Sequence, residues 1–453
     1  MNHDPSASKP IPPTEPGAAT GSPGAPAGES TDVVVIGGGP AGSTASAVLA
    51  EGGLRVILLE REGFPRFHIG ESLMTETYWA LERVGVLERM KNSPFVRKYS
   101  VQFISESGRT SRPFYFFEHN PHESGVTWQV ERAEFDSLLL DNAREKGAEA
   151  RIGWNVERVL FEGERAVGVR GARPGGERFE IRARVVVDAT GLHSLLSRQL
   201  GIKKKDPKLD KAAVYAHFEN ARRDPGIDEG ATLVVHTRGN RGWFWYIPLH
   251  RNRVSVGVVG LPQEIIKGKG KPEEVLEREI AACPAIAERV RDARRIPPVR
   301  VTSDYTWRST SCAGEGFVLI GDAFGFIDPI YSTGVHLALK AGVLAGETIL
   351  AAFKDGDFSG ARLGAFGQPL AEGMEALRKL VYAFYTPGFS FANFVNQHPE
   401  HRPQLIRLLM GDVFGDPVKG LFEAMSAMCE FPEPLPLEPA GPIPAAREGA
   451  RTG

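Results

Sequence analysis

The chain has 453 residues, 42% hydrophobic and 24% charged, with a formal net charge of −2 and a pI near 6.6. That length allows a large core and about two or three domains, and the near-neutral charge excludes the basic field a nucleic-acid or anionic-membrane binder carries. Cys283, Cys312 and Cys429 have no metal-ligand spacing and no run of about 18 uninterrupted apolar residues occurs, so a cytoplasmic protein with reduced thiols, no metal centre and no membrane insertion is expected.

Residues 1–30 are Pro, Gly, Ala and Ser with almost no large apolar side chain, and a disordered tail is expected there. From Asp32 the pattern predicts a strand to Ile36, a glycine turn, a helix over about Ala41–Glu51 and a second strand over Arg55–Leu59. Gly37, Gly39 and Gly42 fill the G-x-G-x-x-G positions: one turns tightly, one lets backbone approach a pyrophosphate, and one allows close helix packing. The phosphate belongs on the helix N-terminus, around Ala41, where free N–H groups and the dipole favour an anion. Glu60, with Arg61 beside it, ends the second strand about 20 residues on, where an acid accepts hydrogen bonds from an adenosine ribose. A dinucleotide site is expected.

Further along, "FPRFHIGESL" (64–73) and the helical "TYWALERVGVLERM" lead into "FVRKYSVQF", with Lys98 opening an expected strand Tyr99–Phe103. "RPFYFFEHN" and "GVTWQV" read as sheet strands, and "QVERAEFDSLLL" supplies Arg132. A strand Val185–Val187 runs into Asp188, and the basic "GIKKKDPKLDK" (201–211) reads either as a solvated loop or as a contact for an acidic carrier protein. In "GWFWYIPLH", strand alternation puts Trp243, Trp245 and Ile247 on one face and Phe244 and Tyr246 on the other. A last strand, Phe317–Ile320, runs into Gly321 and Asp322, and a long helix follows Ser332. The aromatics of "LVYAFYTPGFSFANFV" lie in a helical section and read as core or as an aryl pocket; 431–453 has the composition of a second disordered tail. No second complete G-x-G-x-x-G follows a strand, so no nicotinamide domain is evident.

In this order the glycine turn, Arg132, the Asp188 segment and the Gly321–Asp322 segment resemble the FAD-binding fold of the glutathione-reductase and para-hydroxybenzoate-hydroxylase superfamily. The resemblance implies FAD as cofactor, with Asp322 on the ribityl chain. It also implies an α/β architecture: a Rossmann-like FAD domain over 31–365, with antiparallel substrate-sheet segments inserted at about 73–150 and 205–305, then a C-terminal helical section over 366–430. "WFWYIP" (243–248) fits W-x-W-x-I-P, "FIDPIYSTG" (326–334) fits F-x-x-P-x-x-S-x-G, and "FPRFHIGESL" resembles a flavin-contacting strap. Together they resemble the flavin-dependent halogenases over roughly Asp32–Phe422.

That resemblance implies an enzyme that uses FADH2 and O2 to oxidise chloride or bromide to hypohalous acid, which must be kept from solvent and passed to an aromatic substrate. Trp243 and Trp245 would wall the passage and keep substrate off the flavin; packing in a strand is the other reading. Thr333 and Gly334 match the backbone halide site. Lys98 falls where the family holds a lysine that forms a haloamine or hydrogen-bonds hypohalous acid, and its burial would favour the free amine. Tyr331 stands where tryptophan halogenases carry a glutamate. The departure points to phenol or pyrrole substrates, free or tethered to a carrier protein, with FADH2 supplied by a separate flavin reductase. The alternatives are a flavin hydroxylase or monooxygenase, a geranylgeranyl-reductase relative, and a flavoprotein scaffold without chemistry.

Overall fold

The computed structural model describes residues 28–438, apart from 238, 240, 304, 305, 415–417 and 419. Two sheets organise them. The main path of the first runs Ala313–Gly314, Phe317–Leu319, Arg178–Asp188, Glu29–Ile36, Val56–Glu60 and Glu149–Ile152. Its members from Phe317–Leu319 onward pair in parallel. Val33, Val34 and Val35 have no exposed surface; a parallel sheet covered on both faces calls for such an unbroken apolar run rather than alternation.

The helix Pro40–Glu51 starts without a side-chain cap and with proline in its first turn, where a missing N–H costs nothing. It packs on the 23-residue helix Thr333–Asp355. The two touch at Gly342, where a Cβ would lie 2.7 Å from the Ala41 carbonyl oxygen. The Thr333–Asp355 helix is long and apolar enough to cross a membrane by composition, but most of its apolar stretch is buried inside the protein.

The second sheet has seven strands in the order Arg294–Ser303, Ala212–Glu219, Arg253–Gly260, Trp243–Leu249, Thr232–His236, Ser100–Ile104 and Phe114–Tyr115. It is antiparallel except where Thr232–His236 meets Ser100–Ile104, the seam between two separate passes of the chain. All seven residues of Trp243–Leu249 are buried, because both faces of this strand are covered. Trp243, Trp245 and Ile247 join the core shared with the first sheet, whereas Phe244 and Tyr246 enter the core behind the second. Gly257, paired with Trp245, leaves room for its indole: a Cβ there would lie 2.3 Å from the ring.

Several expected boundaries move. Glu29 and Ser30, assigned by composition to the tail, extend the first strand by pairing with Ile181 and Arg182. The first insertion ends near 130 rather than 150, because Glu149–Ile152 pairs with Val56–Glu60 in the first sheet. At the other end, residues 431–438 lie against the protein, with Arg308 donating to the Leu435 carbonyl and the Glu438 N–H bonding the Thr310 carbonyl at 2.6 Å. The rest of the two expected tails, 1–27 and 439–453, lies outside the described residues. Lys98 does not open the strand Ser100–Ile104; it closes a separate short strand, Val96–Lys98, paired with Thr127–Gln129.

Candidate active site

Between the two sheets lies a cleft of about 290 Å3, running from the glycine turn past the strap 66–72 to the Trp243 strand. Gly37, Gly39 and Ala41 form one end. Gly37 has φ +106°, and a Cβ there would lie 2.3 Å from the Ala189 carbonyl oxygen, so only glycine fits. Gly42 lies behind the cleft, where a Cβ would meet the Gly37 carbonyl oxygen at 1.9 Å; its role is the close helix packing expected of the third glycine. Glu60 and Arg61 line the same end. In this structure the Glu60 carboxylate accepts the N–H groups of Gly38 and Glu62, both at 2.8 Å.

Arg132 and Asp322 line the middle. Arg132 grips Asp136 through two bonds of 2.7 and 3.0 Å and also donates to the Ile69 carbonyl, so it braces the strap as well as facing the cleft. Burial pushes the Asp322 carboxyl up to about 7, against the opposing pull of Arg132. Asp188, expected from the resemblance among the FAD-binding residues, does not line the cleft. It is fully buried and off the cleft, with its oxygens accepting from Thr190 N–H at 3.0 Å and Leu196 N–H at 2.7 Å. It shapes the Thr190–Gly191 loop, and those two residues line the cleft in its place. Gly321 is likewise off the cleft; its φ is +56°, and a Cβ there would lie 2.9 Å from the Ala41 methyl.

At the far end Trp243 and Trp245 both line the cleft. Trp243 Nε1 donates to Tyr385 Oη at 2.8 Å, and Trp245 Nε1 to Ser255 Oγ at 3.0 Å. Gly334 lines the cleft at the start of the Thr333–Asp355 helix, which lacks a side-chain cap. Thr333 is buried beside it with its hydroxyl unpartnered among the described residues. Tyr331 points elsewhere and donates to the Leu380 carbonyl at 3.2 Å.

Lys98 is not on the cleft surface. The residue is 4% exposed, and its ammonium donates to the Leu73 carbonyl at 2.9 Å and lies 5.4 Å from the centre of the Phe116 ring. Burial alone pulls its pKa down to about 7, and no carboxylate pairs with it among the described residues. The cleft is nonetheless one residue away, because Ser72, next to Leu73, lines it.

Two cleft residues were legible only as part of the strap, with no role of their own. Arg66 of the strap reaches within 3.6 Å of where a Gly39 Cβ would stand, a guanidinium over the glycine turn. Glu71 bonds His217 at 2.6 Å and leaves its second oxygen unpartnered among the described residues. The basic stretch 201–211 is largely engaged: Lys203 stacks on Trp307, Lys208 pairs with Glu430 and Lys211 is buried over Tyr385. None of the aromatics of 380–395 lines this cleft. Glu131, Glu134 and His250 converge elsewhere, where Arg251 and Arg253 pair with the two acids.

The residues fit FAD. An uncapped helix N-terminus behind a glycine cradle suits the pyrophosphate, and the partly open, desolvated Asp322 offers a carboxyl for a hydroxylated chain. Residues 119–388 match the family model described as tryptophan halogenase, and residues 32–199 match that of the FAD dependent oxidoreductases. The chain belongs to the tryptophan halogenase family. It is therefore an FAD-dependent halogenase that uses halide and O2.

Among its relatives is the 1H-pyrrole-2-carbonyl peptidyl-carrier-protein chlorinase of Pseudomonas fluorescens, 32% identical over 84% of this chain and 89% of that one. The corresponding brominase of Pseudoalteromonas luteoviolacea is 32% identical over 85% and 93%. The solved structure of the flavin-dependent brominase Bmp2 superposes with a TM-score of 0.78 at 29% identity, covering 88% of this chain and 98% of that one.

Proposed function

We propose that this halogenase chlorinates or brominates a pyrrole or phenol presented on a carrier protein, with Lys98 as the amine that bears the halogen. The carrier-borne pyrrole is supported by the names of the two relatives that act on 1H-pyrrole-2-carbonyl carrier proteins. Tyr331 in place of a glutamate supports an electron-rich ring that needs no carboxylate beside it. A separate reductase supplies the reduced flavin.

Bound FAD, reduced and exposed to dioxygen, supplies the oxidising equivalent that turns halide into hypohalous acid. Gly37, Gly39, Ala41, Arg61, Arg132 and Asp322 hold it along the cleft, and the N–H groups of Thr333 and Gly334 at an uncapped helix start hold the halide. Trp243 and Trp245 wall the cleft against water and against the substrate ring.

The observation that carries the reading is the buried amine of Lys98. An exposed lysine is charged in all but about one molecule in a few thousand at pH 7, whereas a pKa of about 7 leaves this one half neutral. The neutral amine attacks hypohalous acid: the N–halogen bond forms as the O–halogen bond breaks, one amine proton leaves with the hydroxide, and water results. Attack by the ring on the haloamine forms the C–halogen bond, and the displaced ring proton restores the amine.

The test supplies the protein with FAD, a flavin reductase, NADH, O2 and chloride or bromide. The substrate is a pyrrole-2-carbonyl group either free or loaded on a carrier protein. A halide-dependent mass shift confined to the loaded carrier is expected. Equal turnover of the free ring would remove the carrier from the proposal, and oxygen insertion regardless of halide would overturn the reaction itself.

A further inference from the structure

The wall between the cleft and Lys98 is polar, and its register explains which residues make it. Val96–Lys98 pairs antiparallel with Thr127–Gln129, setting Lys98 opposite Thr127. The strap joins the other edge of Thr127–Gln129: Ser72 bridges to Gln129, Leu73 N–H bonds the Trp128 carbonyl at 3.0 Å, and Val130 N–H bonds the Glu71 carbonyl at 2.7 Å. Cross-strand partners share a face, as do residues two apart. Ser72, Gln129, Thr127 and Lys98 therefore lie along one face, leading from the cleft to the amine.

Thr232 completes the wall from the second sheet. Its hydroxyl lies 3.0 Å from that of Ser72 and accepts from Gln129 Nε2 at 2.8 Å. Gln129 Nε2 also donates to the Gly230 carbonyl at 3.0 Å. Because a carbonyl can only accept, the amide nitrogen must face this way, and Oε1 is the atom left over. Gly230 is pressed against the neighbour of Lys98: a Cβ there would lie 1.9 Å from the Arg97 carbonyl oxygen. All five polar side chains are at most 5% exposed, and Gln129 Oε1 has no partner among the described residues. Apolar side chains would fill such a wall at less cost than an unpaired acceptor.

We propose that Ser72, Thr232 and Gln129 form a hydrogen-bonded gate between the cleft and Lys98. In it the free Gln129 Oε1 accepts the O–H of hypohalous acid on its way to the amine. The proposal rests on the reading of Lys98 as the halogen acceptor. Hypohalous acid is a small neutral molecule with one O–H donor, and one free acceptor meets it. Among the described residues the printed partners of the gate side chains are hydroxyl, amide and carbonyl groups, so the gate itself offers no cation to halide or hypohalite anion.

The experiment compares wild type with Gln129→Leu, Thr232→Val, the conservative Thr232→Ser, and Lys98→Ala, each confirmed folded by thermal melt and FAD titration. Two quantities are read with reductase, NADH, O2 and bromide: brominated product per O2 consumed, and hypobromous acid escaping to a soluble trap. A third readout needs no flavin: the rate at which formaldehyde and a borane methylate Lys98 in the FAD-free protein, with exposed Lys204 as reference. Gln129→Leu and Thr232→Val should lose about tenfold or more in product per O2, release more oxidant to the trap and slow Lys98 methylation relative to Lys204, while Thr232→Ser restores most of the transfer. Product and methylation within twofold of wild type in both variants, with Lys98→Ala inactive, would overturn the gate and leave Lys98 standing. Product retained in Lys98→Ala would overturn the reading beneath it.

Discussion

Trp243 Nε1 donates to Tyr385 Oη at 2.8 Å, and that hydroxyl in turn donates to Asp328 Oδ2 at 3.0 Å. The indole that lines the cleft is thereby tied, through a helix 142 residues away in sequence, to the loop that leads into Thr333 and Gly334. Asp328 is fully buried and also accepts the Ile330 N–H at 3.1 Å, while burial pushes its carboxyl up to about 6. Tyr385→Phe keeps the ring but strands the indole N–H and one carboxylate oxygen. The expected outcome is a stability loss of about 1–3 kcal/mol by denaturant melt. Product per O2 should fall roughly tenfold as the tryptophan wall loosens. An unchanged product yield alongside lowered stability would return Trp243 to a packing role.

Lys98 sets stability against function. Its folded pKa lies below the unfolded value of 10.5, so the unfolded chain binds more protons between about 7 and 10.5 and stability rises with pH across that window. Near neutral pH the buried amine costs at most about 4 kcal/mol. Lys98→Met should therefore raise Tm at pH 7, remove that part of the alkaline gain, and abolish halogenation. An unchanged or lower Tm would mean that the amine is better solvated than its surroundings indicate.

The same group fixes the sign of the pH–rate profile. The neutral amine predominates above about 7, so single-turnover transfer to substrate should rise tenfold per pH unit below that value and level off above it. A profile flat from pH 6 to 8 would argue for the ammonium as hydrogen-bond donor instead.

Two glycines of the turn separate folding from binding. Alanine at Gly37 meets a backbone carbonyl at 2.3 Å with φ at +106°, whereas alanine at Gly39 meets only Arg66 at 3.6 Å. Gly37→Ala should yield protein that melts early or does not accumulate. Gly39→Ala should fold normally but bind FAD about tenfold or more weakly by fluorescence titration, because its methyl intrudes where the pyrophosphate approaches.

Short-range patterns made much of this fold legible. The valine run, the glycine spacing and the Trp–Phe–Trp–Tyr alternation each report a local periodicity, and the parallel strands and the two-faced Trp243 strand follow from them. Features set by tertiary contact were not legible. Asp188 ends a strand beside the cleft, yet its oxygens hold Thr190 and Leu196 N–H groups, a choice made by the loop's fold. Tyr385 reads as one aromatic among many in its helix, and Gln129 as an ordinary strand residue. Lys98 was findable only by its place among the motifs, since the separate short strand that buries it is three residues long.

The most direct measurement is halogenated product formed per O2 consumed by Lys98→Ala, beside wild type, with FAD, reductase, NADH, bromide and the carrier-loaded pyrrole. The expected result is FAD binding and O2 consumption near wild type, with product lost by about a hundredfold or more. Product at wild-type yield from that variant would contradict the assignment of Lys98 as the group that carries the halogen.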